Sequence, residues 1–246
     1  AGGGRGRDMS VAGRNPVFAQ TMLRVKCPEK SREFYEGKMG MQYLGRVDVE
    51  SLRFSLYFYA FTDEEVPVLG SDKETLQWVL SRPFPTLELT HNWGTEKDED
   101  FAHHNGNTDP RGFGHIGFVV EDIYKACEAL EAAGVTIKRA PGPFQDVGSI
   151  AFILDPDGYF IELINRPPPP APLSLSPSAP GLLGPDPVFA QVMLRVRDPA
   201  ATVAFYARLG IEVVGALDFP EMEFSLHFLA FVREGEAEEG ARSFGE

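Results

Sequence analysis

Asn15-Pro-Val-Phe-Ala-Gln-Thr-Met-Leu-Arg-Val25 returns almost unchanged as Asp186-Pro-Val-Phe-Ala-Gln-Val-Met-Leu-Arg-Val196. An internal repeat of this kind fixes the architecture before any single residue is interpreted. Phe34-Tyr35 recurs as Phe205-Tyr206, and Phe54-Ser55-Leu56 recurs as Phe224-Ser225-Leu226. The second copy stops at Glu246 and offers no counterpart to anything beyond about Phe61. The chain therefore reads as a disordered terminus (1–14), one complete unit (15–166), a Pro-rich linker (167–185) and a truncated second unit (186–246), as in a piece of a longer tandem protein. The linker composition, Arg166 to Pro187, sustains neither helix nor sheet ladder.

Within the first unit one pattern runs twice. Val17 to Val25 is an apolar run in which Gln20 and Arg24 share one strand face. Pro28 to Met39 has helical spacing, with Pro28 suited to a first turn. Met41 to Val47, Arg53 to Phe61 and Pro85 to Thr90 read as strands, with a polar, partly helical insert at Ser71 to Ser81. Strand Gly114 to Val120 and helix Asp122 to Ala133 then open a second pass, with Asp122 as N-cap and Gly134 just past the end. Strands Val135 to Arg139, Ser149 to Leu154 and Tyr159 to Asn165 complete it, the last two joined by an Asp155-Pro-Asp-Gly158 turn. The prediction is an α+β fold of paired βαβββ modules forming a curved, mostly antiparallel sheet with a site in its concavity.

Composition removes several function classes. The formal net charge of −13 is the wrong sign for a nucleic-acid surface. No apolar run approaches the ~20 residues that cross a bilayer, so no membrane partner is expected. Cys27 and Cys127 stand alone, with neither metal-like nor disulfide-like spacing, which suits a reducing, cytoplasmic compartment. The Gly- and Arg-rich start leaves organelle targeting open.

Four polar residues occupy mid-strand positions where alternation does not demand them: Gln20, Glu88, His115 and Glu162. Oxygen ligands with one imidazole nitrogen form a plausible divalent-metal site with room for water or substrate oxygens. Singly these residues are weak evidence, since a lone strand Glu is more often a solvated face and a lone His more often a satisfied core residue. The stretches around them are more specific. Phe18-Ala-Gln-Thr-Met-Leu-Arg-Val25, Thr86 to Thr95 (TLELTHNWGT), Asn105 to Gly117 (NGNTDPRGFGHIG) and Asp155 to Leu163 (DPDGYFIEL) together resemble glyoxalase I of the vicinal oxygen chelate superfamily. The resemblance covers Pro16 to Asn165 almost continuously.

That resemblance implies a lactoylglutathione lyase acting on the hemithioacetal of methylglyoxal and glutathione. Gln20, Glu88, His115 and Glu162 would be the ligands of one divalent metal per site, zinc in the long-loop eukaryotic form and nickel in shorter bacterial relatives. Glu162 would remove the proton next to sulfur and Glu88 would handle the opposite enantiomer, which makes them the catalytic pair. Arg24, Asn92 and Arg111 would bind the glutathione moiety. The loop Pro141 to Gly148 lacks the basic residues usual in relatives, and Arg139 just before it is the compensating candidate.

The same resemblance implies that a site forms where the first module of one unit meets the second module of another. A homodimer through 16–166 or a paired repeat would supply this, with the C-terminal piece poorly ordered and unable to complete a site in cis. The rivals are a catalytically incomplete binding protein and an extradiol dioxygenase, against which Gln20 in place of a histidine counts. His103-His104 reads as a solvated loop pair, and Asp155-x-Asp157-Gly158 as a turn rather than a calcium loop.

Overall fold

The computed structural model describes residues 16–145, 148–167 and 181–232. The expected disordered start, most of the linker and the acidic tail lie outside the described residues. Contacts divide the chain into a large unit, 18–195, and a smaller one containing 196–246.

The large unit opens with β1 (Gln20–Val25), which leads through a short helix α1 (Pro28–Arg32) into strands β2 (Gln42–Val49), β3 (Phe54–Ala60) and β4 (Thr86–Asn92). Their order is β1-β4-β3-β2, with β1 parallel to β4 and the other pairs antiparallel. The second pass repeats the plan with β5 (Phe113–Val120), α3 (Ile123–Ala132), β6 (Ile137–Pro143), β7 (Ser149–Leu154) and β8 (Phe160–Asn165), β5 being parallel to β8. A parallel pair needs a long crossover, and the helix with its following hairpin provides it in both passes. The βαβββ modules are as predicted.

Among the described residues the two modules form separate sheets. A ninth strand, β9 (Val188–Leu194), lies antiparallel on the free edge of β5, giving the order β6-β7-β8-β5-β9. The first strand of the second copy is thus part of the large unit, and the contact boundary falls one strand later than the sequence boundary at 186. Its approach is anchored: Leu183 is buried in the core and Leu182 N–H donates to the Lys38 carbonyl at 2.7 Å.

Helix α3 shows how local sequence sets the layers. Ile123, Ala126, Cys127 and Leu130 share one stripe and are buried. Asp122 Oδ1 accepts from the N–H groups of Tyr124 and Lys125, and Gly134 takes φ 78° at the far end. The helix predicted over Pro28 to Met39 is α-helical only to Arg32 and continues as a π turn over Glu33–Lys38. The insert at Ser71 to Ser81 is a full helix, α2 (Asp72–Leu80), capped by Ser71 Oγ, which accepts from Glu74 N–H at 3.3 Å. It covers the opposite face of the first sheet, building a second small core with Leu44, Val47, Phe58 and Ala60.

The main core holds Leu23, Val25, Tyr35 and Leu89 from one module and Ile116, Phe118, Leu130 and Ile161 from the other. Asp155 fastens the two together. Its carboxylate accepts from Tyr35 Oη at 2.8 Å across the modules and from the N–H groups of Asp157 and Tyr159 at 3.0 and 2.8 Å. Burial lifts this carboxyl to about 7, while the Tyr35 hydroxyl and the backbone donors pull the other way. A raised folded value means that the group's contribution is fully present below the unfolded carboxylate range and is lost as pH rises through about 7. Urea unfolding of wild type and Asp155→Asn will therefore show the stability difference moving against wild type between about pH 4 and pH 7. A pH-independent difference would contradict this.

The smaller unit repeats the opening of the first. Helix α4 (Pro199–Arg208) is capped by Asp198, which accepts from Ala201 N–H at 2.9 Å. Strands β10 (Ile211–Phe219) and β11 (Phe224–Phe231) pair antiparallel around Glu223 at φ 57°, as β2 and β3 do around Arg53 at φ 54°.

Candidate functional site

Strand alternation puts Gln20, Met22 and Arg24 on the face of β1 turned away from the main core, since Thr21, Leu23 and Val25 are buried beneath it. In the parallel β1/β4 register Glu88 stands opposite Met22, two residues beyond Gln20. The Gln20 amide Nε2 donates to Glu88 Oε2, and Thr90 Oγ1 donates to Glu88 Oε1 at 3.1 Å. Gln20 Oε1 is buried and has no hydrogen-bond partner. An orphaned amide oxygen beside a buried carboxylate is costly as it stands and fits a cation well.

The second module places its two residues in the same relation. Glu162 stands opposite Gly117, two residues beyond His115. His115 Nε2 lies 3.1 Å from Glu162 Oε2, and both residues are buried. The third member of this group is Gln191 of β9, whose Nε2 donates to Glu162 Oε2 at 2.7 Å and lies 3.5 Å from His115 Nε2. The four predicted ligands are therefore not gathered at one point. They form two complementary sets, Gln20 with Glu88 and His115 with Glu162, and Gln191 joins the second.

That arrangement revises what was expected of the second copy. Its first strand is ordered on β5 and brings a glutamine to His115 and Glu162 within the chain, although a counterpart to Glu88 is not among them. Glycines on β5 make the approach possible. A Cβ on Gly117 would lie 2.6 Å from Gln191 Cγ, and one on Gly114 would lie 2.3 Å from Met193 Cε. Gln191 was missing from the predicted site residues, yet the recurrence of Phe-Ala-Gln was its signal. Among the described residues no cluster of three or more His, Cys, Asp or Glu side chains is assembled as a metal site.

The predicted substrate-binding residues divide in the same way. Arg24 Nη1 donates to Asn92 Oδ1 at 2.8 Å, so these two meet on the Gln20 face, exposed to solvent. Arg111 is exposed, its Nε 3.5 Å from Asp109 Oδ1. Arg139 is engaged: its terminal nitrogens donate to the carbonyls of Ile150 at 2.8 Å and Pro143 at 3.1 Å, and it lies over the Phe144 ring. It braces its own hairpin. Arg195, the repeat counterpart of Arg24, is likewise committed, donating to Phe113 O at 3.1 Å and Asn107 Oδ1 at 2.9 Å. His104 is a turn residue, its Nδ1 accepting from Gly106 N–H. His103 departs from the solvated reading, packing edge-on against Phe101 at 4.7 Å, and burial lowers its pKa.

Residues 17–163 match the Glyoxalase/Bleomycin resistance protein/Dioxygenase superfamily. The chain is 48% identical over 150 residues to a lactoylglutathione lyase of Pseudomonas aeruginosa, covering 61% of this chain and 82% of the relative. It is 41% identical over 221 residues to glyoxalase I of Saccharomyces cerevisiae, covering 87% of this chain and 63% of the relative. The crystal structure of glyoxalase I from Zea mays superposes with a TM-score of 0.64 at 26% identity, over 89% of this chain and 64% of that one. The chain thus spans under two thirds of the length of these yeast and maize relatives.

Proposed function

The chain belongs to the glyoxalase/bleomycin resistance protein/dioxygenase superfamily, and from that premise we propose that it is a lactoylglutathione lyase. It isomerises the hemithioacetal of methylglyoxal and glutathione to S-D-lactoylglutathione, a carbon–sulfur lyase step in methylglyoxal detoxification. The observation that carries this reading is the pair of separate half-sets, Gln20 with Glu88 and His115 with Glu162, each held by parallel strands in the same relative register.

Glyoxalase I enzymes are metal-dependent. The residues fit a divalent ion, zinc in our reading, because Gln20 Oε1 is buried without a partner and the paired carboxylates and imidazole supply the remaining donors. Held by Gln20, Glu88, His115 and Glu162, such an ion would supply Lewis-acid stabilisation of negative charge developing on the substrate. Glu162 takes the proton from the carbon attached to sulfur and returns it to the neighbouring carbon, so no atom is gained or lost. Glu88 occupies the equivalent position in the other module and serves the opposite enantiomer. Arg24, held by Asn92, and Arg111 offer exposed guanidinium groups to the carboxylates of glutathione, and Arg139 supports the adjoining hairpin.

Among these four candidate ligands only His115 is a histidine, one short of the pair that a ferrous dioxygenase uses. No helix among the described residues is long and apolar enough to cross a membrane. We assign the activity to a cytoplasmic, reducing compartment, in keeping with the unpaired Cys27 and Cys127. A full site needs a Gln–Glu set from one unit and a His–Glu set from another, in a homodimer or between paired repeats. Purified protein supplied with zinc, methylglyoxal and glutathione will produce the thioester absorbance of lactoylglutathione. Zinc-loaded protein with no rate above the uncatalysed background would sink the assignment.

A further inference from the structure

The stretch Asn105-Gly-Asn-Thr-Asp-Pro-Arg-Gly-Phe-Gly114 turns back on itself where it enters β5, and it carries the exposed Arg111. Two bonds close its base. Gly112 N–H donates to the Gly106 carbonyl at 3.1 Å, and Asn107 Nδ2 reaches across to the Gly114 carbonyl at 2.7 Å. The same nitrogen donates to the Asn105 carbonyl at 3.2 Å. A side-chain amide nitrogen has two hydrogens, and here each goes to a carbonyl on a different arm of the loop.

The orientation of that amide is fixed from its other end. Arg195 Nη2 donates to Asn107 Oδ1 at 2.9 Å, and a guanidinium can only donate, so the amide oxygen faces Arg195 and the nitrogen faces the loop. The incoming arm is fastened by Asn105, whose Nδ2 donates to the Gly158 carbonyl at 2.8 Å and whose Oδ1 accepts from Asn107 N–H at 2.9 Å. The arms run so close at Gly106, φ 78°, that a Cβ there would lie 2.3 Å from the Phe113 carbonyl oxygen. Beyond this clamp the tip has little to hold it: Thr108 Oγ1 lies 3.1 Å from His104 Nε2, and Arg111 meets Asp109.

We propose that Asn107 is a positioning residue for substrate binding, its amide clamping the base of the loop so that Arg111 is held ready for a carboxylate of the anionic substrate. The inference rests on the reading of Arg111 as a glutathione contact given above. Ordering a loop before the substrate arrives removes that cost from the binding step, so the clamp acts on affinity. His115, one residue past Gly114, is held separately by the ladders of β5 with β8 and β9. Loss of the clamp therefore leaves the candidate metal ligands in place.

Two variants test this. Asn107→Asp keeps the shape and the acceptor for Arg195 and removes both donors, and Asn107→Leu removes them without adding charge. Trypsin cleavage after Arg111, followed by mass spectrometry, will run at least about tenfold faster in both than in wild type, because a loosened loop opens more often. With zinc-loaded protein and the hemithioacetal, KM will rise about tenfold while kcat stays within about threefold of wild type, at unchanged zinc content. In an Arg111→Ala background the same substitutions will raise KM by less than about twofold, since residues acting through one contact are not additive. An equal rise in KM with and without Arg111, or wild-type KM and cleavage in both Asn107 variants, would overturn the proposal and leave the lyase reading standing. If Arg111→Ala alone leaves KM at the wild-type value, the glutathione contact assigned to Arg111 falls and the proposal falls with it.

Discussion

Replacing Glu162 by Gln will lower lactoylglutathione formation by about 10²–10⁴-fold, the usual contribution of a positioned general base. The amide keeps the shape and one ligand-competent oxygen, and it can still accept the hydrogen bond that Gln191 Nε2 gives at 2.7 Å. What it loses is the lone proton-accepting carboxylate on the second module's side of the site. Metal content should change far less than rate, and that split separates a base from a mere ligand. Rate and metal analysis on the same preparation decide the matter. Turnover within about threefold of wild type would remove Glu162 from the base position.

The second large effect is on metal. His115 is the single nitrogen donor among the candidate ligands and lies buried beside Glu162 at 3.1 Å, with the Phe152 ring at 5.2 Å. Its truncation to Ala removes a donor and opens a gap that water fills poorly against an aromatic wall. Zinc affinity should fall by at least about 100-fold, more than the 10–100-fold typical of losing an outer-shell partner. Elemental analysis after dialysis reports it. Unchanged stoichiometric zinc in His115→Ala would place the ion elsewhere.

Much of this was legible in the sequence. Gln20, Glu88, His115 and Glu162 each stand where strand alternation does not demand a polar residue, and the repeated strand–helix–strands pattern assigned them to the first and last strands of the modules. The caps at Asp122 and Gly134 and the turn after Asp155 were readable because their chemistry is local. Edge pairing was not readable. β1 and β9 carry nearly the same residues, so periodicity gives two strands that suit the β5 edge equally, and only the folded chain shows which one takes it. The role of Asp155 was hidden for a similar reason, because its partner Tyr35 lies in the other module, 120 residues away. Arg139 looked available as a cation, but backbone carbonyls nearby in the fold had claimed it.

The central claim is that a working site draws its Gln–Glu set and its His–Glu set from different units. Mixing inactive Gln20→Ala protein with inactive Glu162→Ala protein, after unfolding and joint refolding, tests it most directly. Half of randomly formed dimers will be mixed, each with one intact and one doubly broken site, so activity should return to about a quarter of the wild-type rate. A mixture as inactive as its two parents would show that each site is built within a single chain.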